Sequence, residues 1–247
     1  THRDRPGRNR PTSSRWSQCR SLVPRSLHVT AHRSAKKMNN PRFNLLRGRM
    51  IYESVGQRIE EFSQYISEIE HKFDRDKKIL SETSKDADPE SDEDYFYLEG
   101  LAEDYYTIET VFVSIHRRSI LVSLYSFLED SMNGLCRSLQ KEKNYSVKIN
   151  DLKGEGIVRA RDYLTKVVGL EITEANTHWE KIRELNRIRN CLVHAEGYVT
   201  RMEGEKLKEI IEKDDNLELR NECKLVIKKE FVESSLDSVR EFLEFIY

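Results

Sequence analysis

The side chains best equipped for chemistry lie in one stretch, Trp179–Gly197. Arg183, Arg187, Asn190 and His194 recur at i, i+4, i+7 and i+11, a spacing that puts them on one face of a helix. Arg189 flanks the opposite, apolar stripe. A guanidinium presents planar paired donors that match phosphate oxygens. Imidazoles in general titrate near about 6.5, so they take or give protons at neutral pH. Two or three arginines beside one histidine therefore describe a place that can hold a phosphate and move a proton. Cys191 lies inside the same stretch, which makes a Cys–His nucleophile the competing chemistry. It is three positions from His194, and no third group is evident to orient the pair.

For these side chains to be useful, the stretch must be a helix docked on a core. Thr177 followed three residues later by Glu180 is a capping-box pattern, and Gly197 is a residue type that ends helices. Ile182, Leu185, Ile188 and Leu192 fall on one stripe at about 100° per residue and define the packed side. Upstream, Tyr95–Gln140 carries Phe112, Ile115, Ile120, Leu121, Leu124, Phe127, Leu128 and Leu135. That run is too long for one ordinary helix, so a bend is predicted near His116–Ser119. His116-Arg117-Arg118 at this bend is able to reach a phosphate, although a solvated face is the commoner meaning of such a triplet. Gly154 and Gly156 read as a turn into a helix over 157–168. No strand precedes them and no Gly-Lys-Ser/Thr follows, as a phosphate-cradling loop requires.

The rest of the chain follows the same logic. Ile51, Val55, Ile59, Phe62, Ile66, Ile69 and Phe73 predict a long amphipathic helix. Packing onto its own bundle and a self-associating coiled-coil seam compete evenly for that stripe. Asp86, Asp88, Glu90, Asp92, Glu93 and Asp94 around Pro89 form a solvated acidic loop that lacks the ligand order and central glycine of a calcium site. Residues 146–149 read as a short extended piece and 203–213 as a short helix. Leu217–Arg220 and Lys224–Ile227 flank Asn221-Glu222 as a small hairpin. A C-terminal helix covers 231–247.

At Arg189-Asn190-Cys191-Leu192-Val193-His194 the chain resembles the Arg-Asn-x-x-x-His form of the motif that marks HEPN domains. The surrounding order extends the resemblance over about residues 95–247: a helix over 119–140, then Asp151–Ile157, Arg161–Leu164, Trp179 and the motif helix. The resemblance implies an all-α, HEPN-like helical bundle with a minor C-terminal β-hairpin. Many members are metal-independent endoribonucleases that act as toxins or antiviral defence effectors, and some only bind. It further implies RNA as substrate, a homodimer with two motifs face to face, and an antitoxin or defence-system protein as partner. RNA supplies its own nucleophile, the ribose 2′-hydroxyl, so a proton acceptor and a charge stabiliser suffice. By resemblance His194 is the general base or acid and Arg189 the stabiliser, leaving a 2′,3′-cyclic phosphate and a 5′-hydroxyl end. Asn190 orients the imidazole or holds the helix end. Arg187 also satisfies the looser Arg-x4–6-His spacing and lies nearer His194 on the wheel. Glu129 occupies a position where HEPN-like proteins often keep an acidic or polar residue, and orienting an arginine competes there with a plain surface carboxylate. Arg183, Arg117 and Arg118 are the candidate RNA contacts. Glu196 stands where some relatives carry a modifiable tyrosine, so that modification is not carried over. A silent scaffold, or an adaptor bound through the 51–73 helix, are the rival readings.

Composition sets the outer limits. A chain of 247 residues with 37% hydrophobic and 34% charged content suits one helical domain with extensions. Residues 1–37 hold eight Arg and two Lys against one Asp, a charge of +9, which leaves −10 on residues 38–247. The first 37 residues are expected to be a disordered extension. A targeting peptide, a basic RNA arm and a mis-assigned start, with Met38 or Met50 as the true first residue, compete to explain it. The mis-assigned start is the plainest. Residues 38–94 then form the long helix and acidic loop, and 95–247 the HEPN-like domain. Cysteines 19, 136, 191 and 223 show no paired spacing, so no zinc site or disulfide framework is expected. No cofactor, metal or membrane partner is expected. No Ser-His-Asp set, Rossmann fingerprint or Walker loop occurs, no apolar run approaches spanning length, and a cytoplasmic location follows.

Overall fold

The computed structural model describes residues 46–247, apart from 89–90, 174–175 and 203–204. The expectations for residues 1–37 lie outside the described residues. The chain is all-α with one small hairpin: α1 (Leu46–Thr83), α2 (Asp92–Tyr106), α3 (Val113–Lys143), α4 (Gly156–Lys166), α5 (Thr177–Ala195), α6 (Lys206–Lys213), β1 (Leu217–Arg220), β2 (Lys224–Ile227) and α7 (Lys229–Ile246).

α3 is the axis of the bundle. Leu121, Leu124, Leu128, Met132, Leu135 and Leu139 repeat at three- and four-residue steps, and all are buried, so one continuous ridge meets α4, α5 and α7 at once. Burying each such side chain is worth about 1.5–3 kcal/mol. α5 turns Ile182, Leu185, Ile188 and Leu192 inward, the stripe its sequence predicts. α7 contributes Val232, Leu236, Val239, Phe242 and Leu243, and the Tyr247 hydroxyl donates to the Ser131 carbonyl at 3.1 Å. α1 buries Val55, Ile59 and Ile66 and half-buries Phe62 against Phe127, with ring centroids 5.7 Å apart. It packs on α7 and α3 within the same compact unit.

Several local expectations shift. The bend is not at His116–Ser119. Helical hydrogen bonding widens to a π-helical stretch at Thr107–Phe112, and α3 runs straight through 116–119. Phe112 and Ile115, read as core, are 51% and 57% exposed beside that stretch. The expected extended piece at 146–149 is instead irregular chain leading into a 3-10 turn at Ile149–Asp151. The hairpin is as read, with Leu217 opposite Ile227 and Arg220 opposite Lys224. The helical run Asp94–Lys143 corrects the expectation of no apolar run near spanning length. One 18-residue window in it reaches a mean hydropathy of 1.2, enough by length and composition to cross a membrane, and 39% of that window is buried. Its buried leucines are the bundle core described above.

Candidate functional site

α5 is held at both ends by local chemistry. Its start is capped by Asn176, whose side-chain oxygen accepts from the Trp179 backbone N–H at 3.0 Å. Asn176 therefore takes the role the sequence pattern gave Thr177, one residue later. Its end closes through Glu196 and Gly197, both left-handed at φ 51° and 81°. The Gly197 N–H donates to the Cys191 carbonyl at 3.0 Å, the six-residue closure that such a glycine permits. The motif helix is thus capped at both ends, from Asn176 to the residues after His194.

Arg189 does not project freely. Its guanidinium lies over the Tyr125 ring of α3, 5.0 Å from the centroid, a contact worth about 0.5–2 kcal/mol. Its Nη1 donates to the Asn190 side-chain oxygen at 2.9 Å, while its Nε is buried and has no acceptor. Asn190 therefore steadies Arg189 rather than the imidazole. His194 is exposed in the last turn of α5, and among the described residues nothing pairs with it. At about 100° per residue, Arg189 and His194 point about 140° apart, whereas Arg187 and His194 differ by about 20°. Arg187 is half-buried, and with Asn190 it borders a depression of about 440 Å³ against Met202, Lys206 and Leu207 of the α6 region.

The remaining candidates separate into three groups. Arg118 reaches the end of α5. A Cβ added at Gly197 would lie 3.9 Å from its Cζ and Nε, and its charge partly offsets the upward push of burial on the Cys191 thiol. Burial dominates, so Cys191 is held away from its thiolate and a Cys–His nucleophile is disfavoured. Arg183 is half-buried on α5 and is not a free cation. Arg117 is internal. Its Nε and Nη2 donate to the two carboxylate oxygens of Glu70 at 2.8 and 2.7 Å, and its Nη1 donates to the Ile227 carbonyl at 3.1 Å. It joins α1, α3 and β2, which corrects its reading as an RNA contact.

Glu129, on α3, places its carboxylate against the start of α4. A Cβ on Gly156, itself at φ 55°, would come within 3.4 Å of a Glu129 carboxylate oxygen. That positive φ favours glycine, and the missing side chain lets the carboxylate approach the positive end of the helix. Among the described residues no ion pair joins Glu129 to Arg189, so Glu129 does not orient that arginine directly. Tyr125 stands between them in effect. Burial first, then the Glu129 charge, push its phenol up to about 12, with Arg189 pulling the other way. Tyr125 was missed from sequence because it sits in the apolar stripe of α3 like any core aromatic. Among the described residues no group of three His, Cys, Asp or Glu is placed to hold a metal ion. Compared with protein-family models, with curated proteins and with solved structures, the chain has no match.

Proposed function

We propose that the chain is a HEPN-type, metal-independent endoribonuclease that cleaves RNA by 2′-hydroxyl attack, acting as a toxin or defence effector. The observation that carries this reading is the pair of unsatisfied groups on one capped helix. Arg189 keeps a buried Nε–H with no acceptor, and His194 is exposed without a partner at the helix end. A phosphate is the natural counter-charge for the half-buried Arg189 guanidinium, and a ribose hydroxyl or leaving oxygen the natural proton partner for His194. The angle between them leaves one chain with half of each function. A second copy across a two-fold axis supplies the other half, so the proposal includes a homodimer. An antitoxin or other defence-system protein is the proposed regulator.

The test is cleavage of RNA in EDTA. His194→Ala and Arg189→Ala should each remove about two to four orders of magnitude in rate, His194→Ala with melting temperature and dimer unchanged and Arg189→Ala with the dimer kept and only the loss of about 0.5–2 kcal/mol that its Tyr125 contact carries. Arg187→Ala should be milder, and the products should carry 2′,3′-cyclic phosphate ends. Cutting that needs added Mg²⁺, or a His194→Ala protein that cuts like wild type, would sink the mechanism. A silent scaffold is the second reading, favoured by the packing of Arg189 on Tyr125, which staples α5 to α3. It predicts lost stability in Arg189→Ala and no ribonuclease signal in any form.

A further inference from the structure

We propose that the junction of α5 with the hairpin carries a phosphodiester-binding subsite, formed by Tyr198, Arg201 and Lys224 with Arg118 beside them, which holds an RNA strand next to His194. The proposal rests on the RNA reading above and gives the strand a place outside the motif helix.

The junction is fixed by backbone bonds. The Val199 N–H donates to the Cys223 carbonyl at 2.8 Å, and the Leu225 N–H donates to the Gly197 carbonyl at 2.9 Å. Tyr198 and Lys224 form an antiparallel bridge. Around the half-buried Tyr198 ring stand two cations, the Arg201 Cζ at 4.3 Å and the Lys224 Nζ at 5.0 Å from its centroid. Arg118 arrives from α3 at Gly197, the residue before Tyr198. Among the described residues, none of the three cations makes an ion pair or side-chain hydrogen bond. They stand in a body whose residues 38–247 carry −10, where other cations do meet carboxylates, as Lys77 does with Glu109 and Lys228 with Glu218. Glu196 and Glu222 belong to the same junction and pair with none of them.

Cations held together without a counter-charge repel one another. An aromatic face offsets each by only about 0.5–1 kcal/mol at an exposed site. A phosphodiester neutralises them directly. Basic groups grouped with an aromatic ring are the chemistry by which strands are held. A single strand fits better than a duplex. Duplex phosphates, one per about 1.7 Å of axis, would run on over the acidic remainder of the surface. A single strand can bend into one junction, with an unstacked nucleotide free to present its 2′-hydroxyl.

The experiment is fluorescence anisotropy of the full chain with a short single-stranded oligouridylate, 2′-O-methylated so that it is not cut. The double variant Arg201→Gln, Lys224→Gln should bind about tenfold more weakly at low salt. Its slope of log affinity against log salt should fall by about 1.4, two phosphate contacts at about 0.7 each. Arg118→Gln should lower the slope by about half as much. Melting temperatures should stay put, because these side chains lie outside the core. Unchanged affinity and slope in the double variant would overturn the proposal. So would a duplex of equal length binding as tightly, or uridine monophosphate displacing the strand as well as free strand does. The two readings fail separately. Wild type that binds with the full slope yet never cuts refutes the nuclease and leaves the subsite. A double variant that cuts with wild-type kcat/KM and salt dependence refutes the subsite and leaves the nuclease.

Discussion

Arg117→Ala should unfold the protein more easily before it affects any RNA contact. Glu70 has a side chain only 3% exposed, and both its oxygens accept from Arg117, itself 18% exposed. Burial pulls the pKa of this guanidinium down, and the hydrogen bond and charge of Glu70 more than offset it. Deleting the guanidinium leaves a buried carboxylate without its counter-charge and frees the Ile227 carbonyl. Breaking one side of such a buried pair costs about 3–5 kcal/mol. For a unit of this size each kcal/mol moves the melting temperature by about 2–4 °C, so the loss is about 6–20 °C. Differential scanning calorimetry reads it directly. Replacing both members, with Glu70→Leu and Arg117→Met, should recover most of it, because an apolar pair of similar volume is roughly neutral against a buried ion pair. A drop below about 1 kcal/mol for Arg117→Ala is the value for exposed pairs. It would refute the internal role and return Arg117 to the candidate RNA contacts.

Two further outcomes are expected. Leu185→Ala and Ile188→Ala, at residues 3% and 0% exposed, should each cost about 2–5 kcal/mol in urea unfolding, and a loss under about 0.5 kcal/mol would mean that α5 faces the other way. His116 titrates below its ordinary 6.5, chiefly through burial, with Arg117 lowering it further and Glu70 raising it. The unfolded chain therefore takes up the proton first, so stability should fall as pH drops from 6.5 through the folded value. His116→Phe should remove that part of the pH dependence of the melting temperature, and an unchanged profile would refute it.

What could be read in the sequence is what depends on neighbours three or four residues away. The α5 stripe, the α3 ridge and the α7 face are periodic, so their inward sides were plain. The hairpin was legible from four-residue apolar-polar strands either side of Asn221-Glu222, which adopt φ 52° and 58°, the pair of left-handed residues a tight hairpin turn asks for. The misses have a different origin. The π-helical stretch at Thr107–Phe112 contains no proline or glycine to announce it. Arg117 meets a carboxylate 47 positions earlier and a carbonyl 110 positions later, and no local pattern encodes either. Arg189 rests on Tyr125, which belongs to another helix. In both of the last two cases a cation that looked free on a helical wheel is held by an element distant in sequence.

The same helix geometry constrains the proposed chemistry. α5 gives Ile182, Leu185, Ile188 and Leu192 to the core, so only the remaining arc can meet a substrate. Within that arc Arg187 and His194 point the same way about two turns, or roughly 10.5 Å, apart, while Arg189 points toward α3 and is steadied there by Tyr125 and Asn190. A site built from one chain would therefore pair His194 with Arg187 beside the α6 depression. A site built from two would let an immobile Arg189 of one copy serve the imidazole of the other. Immobility favours the second arrangement. A charge stabiliser works best when it is already in place as charge develops, since no reorganisation is then needed at the moment of reaction. Arg189 has a ring and an amide fixing its position, and its Nε–H has no internal acceptor. In the proposed nuclease Arg187 would bind the substrate and Arg189 would stabilise the transition state, so substitution of the first should show in KM and of the second in kcat.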